Sequence, residues 1–224
     1  MHVFDAVDSR LSCRAFLDEP VDPALVRDLI ERAARAASGG NFQPWHVYAL
    51  TGAPLTELKQ KVAAAIDGAD PRHDDAEYPI YPKQMWEPYK SRREEHGVQL
   101  YGALKIGRDD HAGRLAQYKR NFEFFGAPVG LFVTIERKLG PGQWADLGSY
   151  IHTLMYLARG CGLDTCPQES WARLYRLVGE FLKVPPEQML FCGVAIGYGD
   201  RDHPANSFRS PRAGVDEFCT FIGF

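Results

Sequence analysis

No stretch of this sequence approaches the roughly 20 consecutive apolar residues that a membrane-spanning helix needs, and no membrane role is expected. Residues 1–8, MHVFDAVD, hold two acids and no apolar run, so they do not read as a secretory leader. Cysteine is sparse, with Cys13, Cys161, Cys166, Cys192 and Cys219 forming no C-x-x-C pair. An odd count without metal-ligand spacing excludes a disulfide framework and a zinc site, and the expected compartment is the cytoplasm. The cysteines read as small buried hydrophobes, with Cys166 the one candidate for a reactive thiol. There is no excess of basic charge either: 26 Lys and Arg stand against 29 Asp and Glu, a formal net charge of −3. That removes the electrostatic reason to expect nucleic acid as a partner.

What is present fits one globular domain spanning residues 1–224, with 45% hydrophobic and 25% charged residues. Asp22-Pro23 is a helix start, an N-cap acceptor followed by proline at the first helical position. Leu25, Val26, Leu29, Ile30, Ala33 and Ala34 then mark one helical face, and the helix is expected to end near Ser38-Gly39-Gly40. Residues 47–50 read as a strand and 55–66 as a helix. Helices are also predicted around 112–124, over 144–161 and after Trp171. The β-branched run 129–135 and residues 191–198 read as buried strands. Few strands between long helices predict an α+β architecture, an α/β sandwich with a small central sheet flanked by helices. Residues 67–110 lose periodicity but are rich in tyrosine, proline and charge, and are expected to form an excursion or lid.

Four clusters carry chemistry. Arg10, Ser12 and Arg14 alternate, so an extended chain points them to one side, two guanidinium forks around a hydroxyl, as a phosphate receptor requires. Ser38, Gly39, Gly40, Asn41 and Gln43 follow a helix; the glycines permit close approach to a flat ligand and the amides can serve a heterocycle edge. Residues 162–171 (GLDTCPQESW) read as a junction between two helices, with free backbone amides around Pro167, Gln168 and Glu169. Arg209-Ser210-Pro211-Arg212 is a basic turn near the end. Each cluster alone also has an ordinary structural reading.

Taken in order, they resemble the FMN-dependent nitroreductase family. Its R-x-S-x-R-x-F stretch is matched by Arg10, Ser12, Arg14 and Phe16. Its A-P-S-x-x-N-x-Q-P-W stretch is matched from Ala36 by Ser38, Asn41, Gln43, Pro44 and Trp45, with Ala37 standing where proline is usual. G-L-x-T-x-P is matched by Gly162, Leu163, Thr165 and Pro167. The closing pattern is matched by Gly193, Gly197, Tyr198, Arg212 and Glu217.

The resemblance implies an FMN site. Arg10, Ser12 and Arg212 would hold the phosphate, with Arg209 in addition, and Arg14 would lie by the pyrimidine edge of the ring. Ser38, Gly39, Asn41 and Gln43 would reach the flavin from a partner subunit. Pro167, Gln168 and Glu169 would meet the ring where hydride enters and leaves. It further implies a homodimer with FMN at the subunit interface and an apolar arm, residues 218–224, wrapping the partner. NADPH or NADH would reduce the flavin, and a small aromatic nitro or quinone-like acceptor would reoxidise it in a ping-pong cycle. No separate acid or base is implied. The absence of a G-x-G-x-x-G motif fits a donor that stacks only briefly. Alternatives on the same fold are a reductive dehalogenase, a flavin-modifying enzyme, a dehydrogenase, or a flavin-binding protein without catalysis.

Overall fold

The computed structural model describes residues 1–69 and 75–224. Four strands form one sheet: β1 (His46–Thr51), β2 (Val129–Glu136), β3 (Asp164–Gln168) and β4 (Gln188–Gly197), in the order β1-β2-β4-β3. Every neighbouring pair is antiparallel, which places the fold in the α+β class. β2 explains why its run is continuously apolar. Val129, Leu131, Val133 and Ile135 enter one core, while Phe132 enters the core on the opposite face. With both faces covered, alternation of polar and apolar residues disappears.

The first core is closed by α2 (Pro23–Ala33) and α6 (Pro141–Gly160). Asp22 caps α2 by accepting the Ala24 amide at 2.9 Å, and Val26, Leu29 and Ala33 are buried. α2 stops at Ala33, earlier than the expected 38–40, because three successive turn hydrogen bonds from Ala34, Arg35 and Ala36 tighten its end. α6 also begins on proline and buries Leu147, Tyr150, Ile151, Leu154, Met155 and Ala158.

The second core lies under α3 (Gly52–Ile66), whose Leu55, Leu58, Val62 and Ile66 are buried, and α7 (Tyr175–Leu182). Trp171 is fully buried there, stacked on Phe124 at 4.7 Å and edge-on to Phe132 at 4.9 Å. Phe124 and Phe125 hold φ of 51° and 55°, a conformation that side chains resist and that this aromatic packing sustains.

Three expectations need correction. Residues 162–171 are not a link between helices: 164–168 form β3, an edge strand, followed by a 3-10 turn, Glu169–Leu174. The helix expected over 112–124 is α5 (His111–Lys119), continued by a 3-10 segment, Arg120–Gly126. The stretch 67–110 is not without regular structure, since it contains α4 (Tyr89–Ala103), and Tyr78 is buried with its hydroxyl donating to the Phe191 carbonyl at 2.7 Å. Residues 70–74 of that stretch lie outside the described residues. A first helix, α1 (Val3–Ser9), precedes the arginine segment. The tail is largely exposed, with Phe218, Phe221, Ile222 and Phe224 open to solvent.

Candidate functional site

Residues 10–17 run extended along the edge of the sheet. Ser12 bridges to Thr165 in parallel, the Cys13 amide donates to the Thr165 carbonyl at 2.9 Å, and the Leu17 amide donates to the Tyr198 carbonyl at 2.8 Å. Asn206 clamps the same segment from the C-terminal side. Its Oδ1 accepts from the Arg14 amide at 2.7 Å and its Nδ2 donates to the Ala15 carbonyl at 2.9 Å. Arg209 donates to the carbonyls of Asp8, Ser9 and Arg10 at 2.6, 2.9 and 3.2 Å. Its guanidinium therefore fixes the chain that carries Arg10. Arg212 is exposed and donates to the Ser210 carbonyl at 3.0 Å.

Arg14 lines a cleft of about 1110 Å³ together with Pro167, Gln168 and Glu169. Gln168 is buried; its Nε2 donates to the Asn121 carbonyl at 2.7 Å, while its Oε1 has no partner. Arg10 Nε is likewise buried without a partner. A buried donor on the arginine segment and a buried acceptor at the end of β3 are thus both left open, and a polar ligand would satisfy them.

His96, on α4, was not foreseen in the sequence. Its Nε2 accepts from Arg14 Nη2 at 3.3 Å, which leaves the ring proton on Nδ1 to donate to Ser210 Oγ at 2.9 Å. It thus ties the arginine segment to the basic turn. Burial lowers the His96 pKa, and the positive charges of Arg14 and Arg212 lower it further. Burial, then Arg10, lowers that of His152 on α6. Burial raises the Cys166 thiol, opposed by Arg14 and Arg10. Cys166 is enclosed in the second core, so it is a packing residue and not the reactive thiol considered above. Burial also pushes the Cys13 thiol up to about 12.

The remaining cluster stands apart from this cleft. Residues 39–41 form a 3-10 turn in which Gly40 and Asn41 hold positive φ, as does Gln43 just beyond it. Ser38 Oγ accepts from the Gln43 amide at 3.1 Å, and the Gly39 amide donates to Asp146 Oδ1 on α6 at 3.1 Å. Asn41 and Gln43 are exposed, and neither lines the cleft with Arg14. Of the residues singled out in the sequence, Arg14, Pro167, Gln168 and Glu169 line one cleft, Arg209 binds the backbone of residues 8–10, and residues 38–43 do not line that cleft.

The antiparallel sheet with helices on both faces defines an α+β protein, with an arginine-bearing segment along its edge and a cleft beside it. The chain belongs to the nitroreductase family, matching it over residues 7–198. It is similar to the 4-nitrobenzoate reductase of Pseudomonas putida, 41% identical over 222 residues that cover 99% of this chain and 96% of that one. The nitrobenzene nitroreductase of Ectopseudomonas oleovorans is 35% identical, with 97% and 96% coverage. Among solved structures, the FMN- and NADPH-dependent nitroreductase NfnB of Sphigopyxis sp. strain HMH superposes with a TM-score of 0.96 at 43% identity, covering both chains fully. The FMN-dependent NfnB of Mycobacterium smegmatis, solved with NADPH, gives 0.92 at 28% identity, covering 98% of this chain and 97% of that one.

Proposed function

We propose that this chain is an FMN-dependent oxidoreductase that takes electrons from NADPH or NADH and reduces nitroaromatic compounds. The observation that carries the reading is the cleft in which Arg14 stands with Gln168, whose buried Oε1 has no hydrogen-bond partner. Bound FMN would supply two-electron transfer between the nicotinamide and the nitro group. Arg10, Ser12 and Arg212 would hold its phosphate by charge-assisted bonds. Arg209 would add to the phosphate contacts while holding the 8–10 backbone in place. Arg14, oriented by His96 and Ser12, would set a fixed positive charge by the ring. Pro167, Gln168 and Glu169 would form the wall against which donor and acceptor stack in turn. Solvent can supply the protons, and no side chain is assigned that task.

Ser38, Gly39, Asn41 and Gln43 would complete the site of a second copy in a homodimer. The exposure of Gly39, Asn41 and Gln43 and their absence from the cleft wall support that arrangement, as does the exposed apolar tail. The expected compartment remains the cytoplasm, and no helix among the described residues is long and apolar enough to cross a membrane. The test is an anaerobic absorbance titration of the purified protein. A yellow FMN spectrum should bleach on NADPH or NADH and return when a nitroarene is added. A spectrum that the nicotinamides leave unchanged would make the protein a flavin binder without reductase activity.

A further inference from the structure

The cleft extends well beyond Arg14 and Gln168. It continues between α4 and α5, where Arg93, Arg108, Arg114 and Arg173 line it with Tyr81, Tyr101 and Tyr118. With Arg14 that makes five arginines in the wall, against two carboxylates, Glu94 and Glu169. The anionic flavin and nicotinamide donor can use this charge, but a neutral acceptor gains nothing from it, and covering each guanidinium costs its desolvation.

Arg114 is held at two points. Its Nε donates to the Gly107 carbonyl at 2.9 Å, and its guanidinium lies over the Tyr101 ring at 4.1 Å. Neither Nη has a partner among the described residues. The side chain is thus anchored at its inner edge and on one face, and presents its outer fork to the cleft. Such a fork matches a carboxylate in two parallel hydrogen bonds, and the entropy of ordering it has already been spent in the fold. Arg93 is held in a related way, 4.7 Å from the Tyr81 ring. Tyr118, which hydrogen-bonds Arg173, stands one turn along α5 from Arg114, on the same face.

We propose that Arg114 recognises a carboxylate on the acceptor, so that this cleft selects anionic nitroaromatics over neutral ones. This rests on nitroarene reduction at the same cleft. In this arrangement the aromatic ring lies among the tyrosines, with the nitro group toward Gln168 and Arg14 and the carboxylate toward Arg114.

The test compares 4-nitrobenzoate with nitrobenzene as acceptors for the FMN-loaded enzyme and its Arg114→Gln and Arg114→Lys variants, with NADPH and with NADH. Benzoate, which cannot be reduced, is titrated into each protein by calorimetry as a readout independent of turnover. Arg114→Gln should lower kcat/KM for 4-nitrobenzoate about tenfold to a hundredfold, through KM, as expected for one lost charge-assisted contact. Nitrobenzene turnover should stay within about twofold. Benzoate binding should weaken in parallel, and Arg114→Lys, which keeps the charge but not the fork, should fall between. Equal losses for both acceptors, or a loss confined to the KM for NADPH, would overturn the assignment; the latter would give the arginine to the donor's phosphate. A wild-type enzyme that reduces no nitroarene would refute the nitroreductase reading, while undiminished benzoate binding by Arg114→Gln would refute the carboxylate site.

Discussion

His96 Nε2 sits 3.3 Å from an Arg14 guanidinium nitrogen and can only accept that hydrogen bond while the ring is neutral. Folding therefore disfavours the protonated ring, and its pKa lies below the ordinary value of 6.5. The unfolded chain takes up this proton at higher pH than the folded one, so the stabilisation is complete above pH 6.5 and is lost as pH falls through the lower folded value. The wild-type melting temperature should thus drop between pH 7.5 and 5.5 more steeply than that of His96→Gln, by differential scanning fluorimetry. Parallel curves would mean that this contact does not couple to folding. A shallower residual slope in the variant is expected from His152, whose pKa is lowered in the same direction.

Arg14 and Arg212 should separate in their effects on the flavin. A unit charge about 4 Å from the reduced ring is worth up to roughly 4 kcal/mol at an effective dielectric near 20, a ceiling on the order of 90 mV for a two-electron couple. With solvent at the cleft mouth, Arg14→Gln should lower the FMN midpoint potential by some tens of millivolts. Arg212→Gln should weaken FMN binding and leave the potential nearly unchanged. Redox titration and fluorimetric FMN binding check both, and a larger potential shift for Arg212 would reverse the two roles.

Asp164 at the start of β3 joins Arg159 at 2.8 Å and Arg201 at 2.6 Å, with its carboxylate almost fully buried. Asp164→Ala leaves the Arg159 charge buried and unpaired, which should cost about 3–5 kcal/mol. Arg201 is half exposed, so Arg201→Ala should cost about 1 kcal/mol or less. Urea unfolding of the two variants gives the comparison, and equal losses would show that Arg201 closes the site as fully as Arg159.

The exposed aromatics of the tail should matter only to assembly. Deleting residues 218–224 should convert a dimer into a monomer by light scattering and release FMN, while the described cores, which contain none of these residues, keep their circular dichroism. A truncated chain that stayed dimeric and yellow would remove the arm from the interface.

The sequence made some of this legible and hid the rest for physical reasons. The 129–135 strand was clear because both faces are covered, and α2 because Asp22-Pro23 announces it. β3 was hidden because its Asp-Thr-Cys-Pro-Gln lacks alternation and contains proline. That is tolerable only in an edge strand, where Pro167 pairs with Val194 alone. α4 was missed because it buries none of its residues and so leaves no hydrophobic period. The alternation of Arg10, Ser12 and Arg14 marked the extended segment that runs along the sheet edge. His96 stayed invisible because its partners lie 82 and 114 residues away and its own helix gives no pattern.

The clamp between Arg209 and the carbonyls of residues 8–10 spans about 200 positions, and Asn206 holds Arg14 across 192. During synthesis the sheet can pair as soon as β4 leaves the ribosome, but the arginine segment has nothing to close against until residue 209 follows. Closing these contacts carries the loop-closure cost of about 200 residues, so this part of the fold depends on distant segments meeting. A chain lacking residues 206–209 would keep the strands of the sheet but leave the arginine segment without its clamp.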